Sequence, residues 1–449
     1  MPSRRNALAS VACLIIVVLA WAATVTAIAI RGEDTAQQKE LMFIAHTFEE
    51  YQPQLKQLSA LHAYEHFALK VIAEADVPVP SWKLQMLAYE LAARLHDQHA
   101  SIAAPTSGLG IPIWFYWASD GLVVIPLPHA PTALHLGDKV IRIGKLSVDQ
   151  VQQRFSQLLP GNSFLRKAEA GSNLLQADNL RMLGVVSPDG RVEITLRGRD
   201  GRRYTADVRL EPMGIIWNAA AQRLVTSVYR RDLALGGVWP SQGQVYKWHV
   251  FPGRDAAVFW LFNFFPSDSL DGAIDRFFTA VEAAGVRNVV LDVDFNPGGT
   301  ATAVNSFLPY LPQPSRKGYY TLPYFGAAQY EEIAHPASPT PFGGHVYVMM
   351  NWGTCSAAVV FADVLASNDL AVTVGQPTGG NPQPTSDGRA IRVPHSDFVV
   401  YTADATMSLP DLDQANKVAL YPEVPIPVTV ADIQDGVNPL TKWLDALRR

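Results

Sequence analysis

Cysteine is scarce, with two in 449 residues, Cys13 and Cys355. Cys13 lies in an apolar N-terminal run, so the body of the chain has one thiol and no intramolecular disulfide. Nothing near Cys355 in sequence would lower a thiol pKa, and it reads as a small packing residue. Charge is also sparse, at 17% of residues, with a net charge of −5 and no long basic run. That excludes nucleic acid as a partner. Lysine is missing altogether between Lys317 and Lys417. What is there is a 48% hydrophobic chain, long enough for two or three domains and a sizeable core.

The N-terminus carries Arg4 and Arg5, then 24 uncharged residues from Ala7 to Ile30. A bilayer span needs about 20 apolar residues and a signal-peptide core about 7–15. The length predicts a signal anchor with its basic end in the cytoplasm, while Ala20-Trp-Ala22 and Ala27-Ile-Ala29 offer cleavage sites. Residues 1–33 are therefore read as an export segment. The body is expected to be membrane-anchored and facing the periplasm or exterior, or secreted if cleaved.

Residues 34–105 read as helical. Leu41, Phe43, Ile44, Phe48, Tyr51, Leu55 and Leu58 recur at helical spacing, and a second helix is predicted from Ser81 through Leu95. It ends in the polar cluster Leu95-His-Asp-Gln-His99. His62-Ala-Tyr-Glu-His66 has the H-x-x-E-H spacing of inverted zinc peptidases. No third ligand is marked in sequence, and a solvated helix face explains the pattern as well. No metal or cofactor is expected.

Residues 106–212 turn to strand. Gly108-Leu-Gly-Ile111, Gly121-Leu-Val-Val-Ile125 and Leu136-Gly-Asp-Lys-Val-Ile-Arg-Ile-Gly144 come before a helix from Val148. This order resembles a PDZ domain, whose glycine loop receives a peptide carboxylate. A helix-leaning insertion over 157–182 interrupts it before strands resume at Arg191–Leu196 and Tyr204–Leu210. From about Trp248 strands and helices alternate, with apolar strands at Ala257–Phe265, Asn288–Asp294, His345–Met350 and Ala371–Val374. That pattern predicts an α/β core with functional loops at strand ends.

One of those strands runs into Asn351-Trp-Gly-Thr-Cys-Ser-Ala-Ala358 and a helix of small and apolar residues. A hydroxyl at a helix N-terminus meets unpaired N–H groups and the positive end of the dipole, which suit a nucleophile and its oxyanion. The plain alternative is that Thr354 or Ser356 only caps the helix.

Three motifs in order carry a wider resemblance: Leu291-Asp-Val-Asp-Phe-Asn-Pro-Gly-Gly299, Gly353-Thr-Cys-Ser-Ala-Ala358 and Val374-Gly-Gln-Pro-Thr-Gly-Gly380. With the PDZ-like module upstream and Tyr421-Pro-Glu-Val-Pro-Ile426 near the end, the chain resembles the S41 serine peptidases. These include the C-terminal processing and tricorn-like proteases. The resemblance implies Ser356 as nucleophile, and an oxyanion hole from the backbone of Ala357 and of Gly298 or Gly299. The Lys that serves as base in the tail-specific branch falls at Asn381, which cannot take a proton. The tricorn-like branch uses a His ahead of the PDZ-like module, where this chain has His99, with His96 as its rival. An imidazole is a suitable base at neutral pH if its other nitrogen is oriented. Asp97, Asp411, Asp413 and Glu423 stay open as the orienting acid. Asp294 stands where relatives often have Arg.

The expected fold is α/β (α+β multidomain): an N-terminal helical region, a PDZ-like β module with an insertion, and a ClpP/crotonase-like α/β catalytic core over 213–449. The resemblance implies a serine-type endopeptidase acting on peptide or protein substrates. A non-catalytic binding protein on the same fold is the competing reading, because a fold does not guarantee chemistry. Their difference lies in whether His99 reaches Ser356.

Overall fold

The computed structural model describes residues 34–218, 221, 245–265, 269–311, 319–323, 329–331, 341–382, 385–408 and 418–447. The expected export segment, Asp411 and Asp413 lie outside the described residues. Among the described residues, no helix is long and apolar enough to cross a membrane.

Helix α1, Ala36–Tyr51, opens on a capping box in which Thr35 and Gln38 satisfy each other's backbone N–H. The apolar periodicity that runs on to Leu58 is broken at Pro53 by a 3-10 turn. Proline lacks the N–H and its ring clashes with the preceding turn. Helices α2, Leu58–Ala73, and α3, Ser81–Ala93, follow. The third stops short of the expected Leu95, because the chain reverses at His96 with φ 55°. Leu41, Ile44, Phe48, Leu87 and Leu91 pack not only on one another but on Val393, Phe398 and Val400 from late in the chain.

The next strands are β1 Ser101–Ala103, β2 Leu109–Gly110, β3 Ile113–Ala118, β4 Gly121–Pro126, β5 Lys139–Ile143 and β6 Leu146–Ser147. Helix α4, Val148–Phe155, leads into the insertion helices α5, Ser163–Asn173, and α6, Ala177–Met182. Strands β7 Arg191–Arg197, β8 Arg203–Arg209 and β9 Glu211–Pro212 and the single turn α7, Met213–Ile216, come after. Strands β3, β4, β5, β7 and β8 form an antiparallel sheet, with β6 beside β5. The glycine loop Gly108–Ile111 is engaged by its own chain. Strand β2 pairs with β9, Ile111 N–H donates to Leu175 O at 2.9 Å, and Met213 N–H donates to Gly108 O at 2.8 Å.

The remaining elements are β10 Tyr246–Phe251, β11 Ala256–Leu261, α8 Leu270–Ala283, β12 Asn288–Asp292, β13 Tyr319–Pro323, β14 Gln329–Glu331, β15 His345–Met350, α9 Ala357–Ser367, β16 Val372–Gly375, β17 Thr385–Arg392, β18 Val399–Ser408, β19 Val424–Pro425, α10 Val430–Asp435 and α11 Pro439–Leu447. A 3-10 stretch, Ala301–Ser306, follows the Gly298–Gly299 turn. Six strands run in the order β10-β11-β12-β15-β16-β19, parallel from β11 onward. Strands β11 and β12 are buried along their whole length, as parallel strands covered on both faces must be. Helices α8 and α9 share a core with them through Phe259, Leu291, Phe277 and Phe361. A second sheet, β1-β18-β13-β14 with β17 beside β18, ties the segment after α3 to the segment after β16.

Candidate active site

The parallel strands β12, β15 and β16 end at one edge of the sheet, where open α/β folds place their functional loops. Three loops meet there and are knitted by buried polar groups. Asn351 Oδ1 accepts from Gly353 N–H at 2.8 Å and from Phe295 N–H at 3.1 Å. Thr354 is fully buried and its hydroxyl donates to Val293 O at 2.8 Å. Cys355 N–H donates to Asn296 O at 3.0 Å, and Gly380 N–H to Thr354 O at 3.1 Å. Thr354 is therefore a loop brace rather than a helix cap.

Ser356 does not cap the helix through its side chain either. It sits at φ 51°, ψ −126° between the loop and α9, a conformation that glycine favours and that costs other residues of order 1–3 kcal/mol. Such strain is sustained here by a helix whose residues 357–365 are all buried. The hydroxyl meets the loop that follows α3, where His99 Nε2 lies 3.2 Å from Ser356 Oγ. The two residues are 257 positions apart.

Of the acids left open, Asp97 and Glu423 are among the described residues, and Asp97 is the one beside His99. Asp97 is 3% exposed, and its Oδ1 accepts the His99 backbone N–H at 3.0 Å. Its nearest approach to His99 Nδ1 is 3.5 Å. Thr385, the first residue of β17, lies 2.8 Å from His99 Nδ1 through its hydroxyl. That same hydroxyl is 2.8 and 2.9 Å from the two carboxylate oxygens of Asp97. Gln52 donates to Asp97 Oδ2 at 2.6 Å. Burial raises the Asp97 carboxyl pKa, but the hydrogen bonds and charge of His99, together with Thr385, outweigh it and hold the group below the usual range. Glu423 is committed elsewhere, accepting from Thr373 N–H at 3.1 Å. His96 lies in the field of Arg166 and Arg94, and burial with those two cations lowers its pKa.

The Gly298–Gly299 turn closes the other side. Its φ angles are 104° and 136°, open to glycine alone. A Cβ on Gly298 would stand 2.7 Å from Ser356 Cβ and 2.8 Å from Ala357 N, so the missing side chain is what lets the turn lie against Ser356. The Gly298 N–H donates to Asn296 Oδ1 at 2.9 Å, whereas the Ala357 N–H, first in α9, has no protein acceptor among the described residues. Burial, with the Glu169 carboxylate adding to it, pushes the Cys355 thiol far above its ordinary range. Burial also raises Glu169 to about 7. The thiol is therefore no rival to the hydroxyl.

The His62–His66 pair, with its zinc-like spacing, takes no part in these contacts. His62 Nδ1 meets Glu65 Oε2 at 3.0 Å on the exposed face of α2. No cluster of three His, Cys, Asp or Glu groups that could hold a metal occurs among the described residues. Reasoning from sequence singled out Ser356, His99, Ala357 and the glycine pair, and the fold brings them together. It passed over Thr385 and Gln52, which carry no local signal. For Asp97 there was one: an acidic residue two positions ahead of a histidine readily accepts that residue's backbone N–H.

A model of peptidase family S41 matches residues 261–411. Over that segment, about a third of its length, the chain is similar to the S41 peptidases. Ser356 falls inside the matched segment, while His99 lies far ahead of it. The chain is also similar to the structure of mature CPAF complexed with lactacystin, with a TM-score of 0.65 at 14% identity, covering 92% of this chain and 97% of that one. A CPAF mutant gives 0.66 at 14% identity, covering 92% and 96%. The photosystem II D1 C-terminal processing protease gives 0.42 at 15% identity, covering 90% and 100%. At such identities the CPAF likeness shows the fold. No match is found among curated proteins.

Proposed function

We propose that this protein is a serine peptidase of the S41 type, which hydrolyses peptide bonds through an acyl-enzyme on Ser356 with His99 as general base. The observation that carries the reading is the 3.2 Å approach of His99 Nε2 to Ser356 Oγ. As Oγ attacks the scissile carbonyl carbon, Nε2 takes its proton. The imidazolium then gives that proton to the leaving amine. Water repeats the sequence on the acyl-enzyme and releases the acid product. The negative oxygen of each tetrahedral intermediate is received by the Ala357 N–H and by the Gly298–Gly299 turn. An oxyanion is a stronger acceptor than the neutral amide of Asn296, so the Gly298 N–H is exchangeable between the two. The binding-protein alternative rests on the missing Lys and the unassigned acid, and the approach of His99 to Ser356 favours the peptidase reading over it.

We place the enzyme outside the cytoplasm, held by or released from the uncharged Ala7–Ile30 segment, whose length and basic flank support export. The test of the chemistry is labelling of the full-length protein by a fluorophosphonate at neutral pH. Wild type should label, Ser356→Ala should not, and His99→Ala should label at least about a hundredfold more slowly. Undiminished labelling of Ser356→Ala removes Ser356 as nucleophile, and undiminished labelling of His99→Ala removes the base.

A further inference from the structure

We infer that Thr385 is a positioning residue: its hydroxyl transmits the negative charge of Asp97 to His99 and holds the imidazole with Nε2 facing Ser356. The inference rests on the reading of Ser356 and His99 as nucleophile and base, and adds a third and fourth member.

The argument is one of proton counting. A hydroxyl has a single proton to donate, and an ionised carboxylate can only accept. Thr385 Oγ1 lies 2.8 and 2.9 Å from the two oxygens of Asp97, so its proton goes to the carboxylate. At 2.8 Å from His99 Nδ1 the same oxygen must then accept, and Nδ1 must carry a hydrogen. A neutral imidazole protonated on Nδ1 has its lone pair on Nε2, the nitrogen 3.2 Å from Ser356 Oγ. The tautomer that a general base needs is set by Thr385. When Nε2 takes the serine proton, the Nδ1–H stays where it is. The new positive charge draws its bond to Thr385 tighter, and Thr385 in turn presses its proton toward Asp97.

The carboxylate's own approach to Nδ1 is the weaker of the two contacts, at 3.5 Å against 2.8 Å for the Thr385 hydroxyl. Turning closer would disturb the bonds from Gln52 at 2.6 Å and from the His99 backbone at 3.0 Å. Nor does solvent take the hydroxyl's place, since Thr385 and Asp97 are 4% and 3% exposed. A charge in such a site acts strongly on its neighbours. That Asp97 is held below the ordinary carboxylate range agrees with its being ionised.

The test is saturation labelling of the full-length protein with a fluorophosphonate, which separates the maximal rate, kinact, from the probe affinity, KI. Thr385→Val keeps the shape and removes the hydroxyl. It should lower kinact on the order of a hundredfold with KI unchanged, because Thr385 does not touch the probe. Thr385→Ser should stay within about threefold of wild type, and Asp97→Asn should fall as Thr385→Val does. The double variant should be no slower than the slower single one, as expected of groups acting in series. The relay is overturned by a Thr385→Val kinact within about threefold of wild type, by Thr385→Ser as slow as Thr385→Val, or by losses that multiply. Where Thr385→Val fails to fold, Asp97→Asn decides, and an unchanged kinact there overturns the relay. A wild type that does not label overturns this inference together with the peptidase mechanism, whereas a labelled wild type with an unaffected Thr385→Val overturns the relay alone.

Discussion

Gly298→Ala is the substitution for which the structure states the consequence most directly. The added methyl would stand 2.7 Å from Ser356 Cβ, 2.8 Å from Ala357 N and 2.9 Å from Cys355 O. Two of those atoms are backbone, at the start of a helix with no exposed residue from 357 to 365, so they cannot swing aside as a flexible side chain would. The φ of 104° is itself closed to alanine. Strain of about 1–3 kcal/mol from the dihedral and about 1–3 kcal/mol from overpacking give a loss of about 2–6 kcal/mol in unfolding free energy. The protein that still folds must have moved the turn away from Ala357, and losing one oxyanion donor slows acyl transfer about 10²–10³-fold. Chemical denaturation measures the first quantity, and fluorophosphonate labelling of the folded fraction the second. Gly343→Ala is the control, because that glycine is exposed, has nothing within 4 Å of its missing Cβ and no positive φ. If Gly298→Ala unfolds and labels like Gly343→Ala, the turn does not pack on Ser356 as described.

Two further outcomes follow from the same site. Ser356→Gly should be inactive yet more stable than Ser356→Ala by about 1 kcal/mol, since only glycine relieves the strained φ; equal stability in denaturant would remove strain from the account. Asp97 has a folded pKa below its unfolded value. The stability it contributes is therefore present above the unfolded carboxylate range and is lost as pH falls through the lower, folded value. Asp97→Asn should flatten the acid limb of the stability–pH curve, and a limb that keeps its slope would mean Asp97 is not the group responsible.

The legible part of the site is the part encoded locally. A strand ending in His345–Met350, a polar turn and a run of small apolar residues declare a helix N-terminus at Ser356 without reference to the rest of the chain. Asn-Pro-Gly-Gly299 declares a backbone that only glycine tolerates. Where local signals misled, a competing local rule was at work: Pro53 cut the first helix despite unbroken periodicity, and the reversal at His96 ended the third one early. The strands of the segment 106–212 were readable in outline too. That its glycine loop is engaged by Leu175 and Met213 was not, because nothing in a loop's own residues reports what packs on it.

What the sequence determined by itself, then, is the set of chemically competent groups and the backbone shapes that hold each one. Which of them act together was decided by the tertiary structure. His99 meets Ser356 across 257 residues and Thr385 across 286. Those meetings depend on β1 pairing with β18, on β18 pairing with β17, and on the N-terminal helices sharing a core with Val393, Phe398 and Val400. Strand register over such separations is set by burial of whole faces rather than by any residue near the site. Among many polar residues in late loops, one threonine at the first position of a strand therefore stands between an aspartate and a histidine.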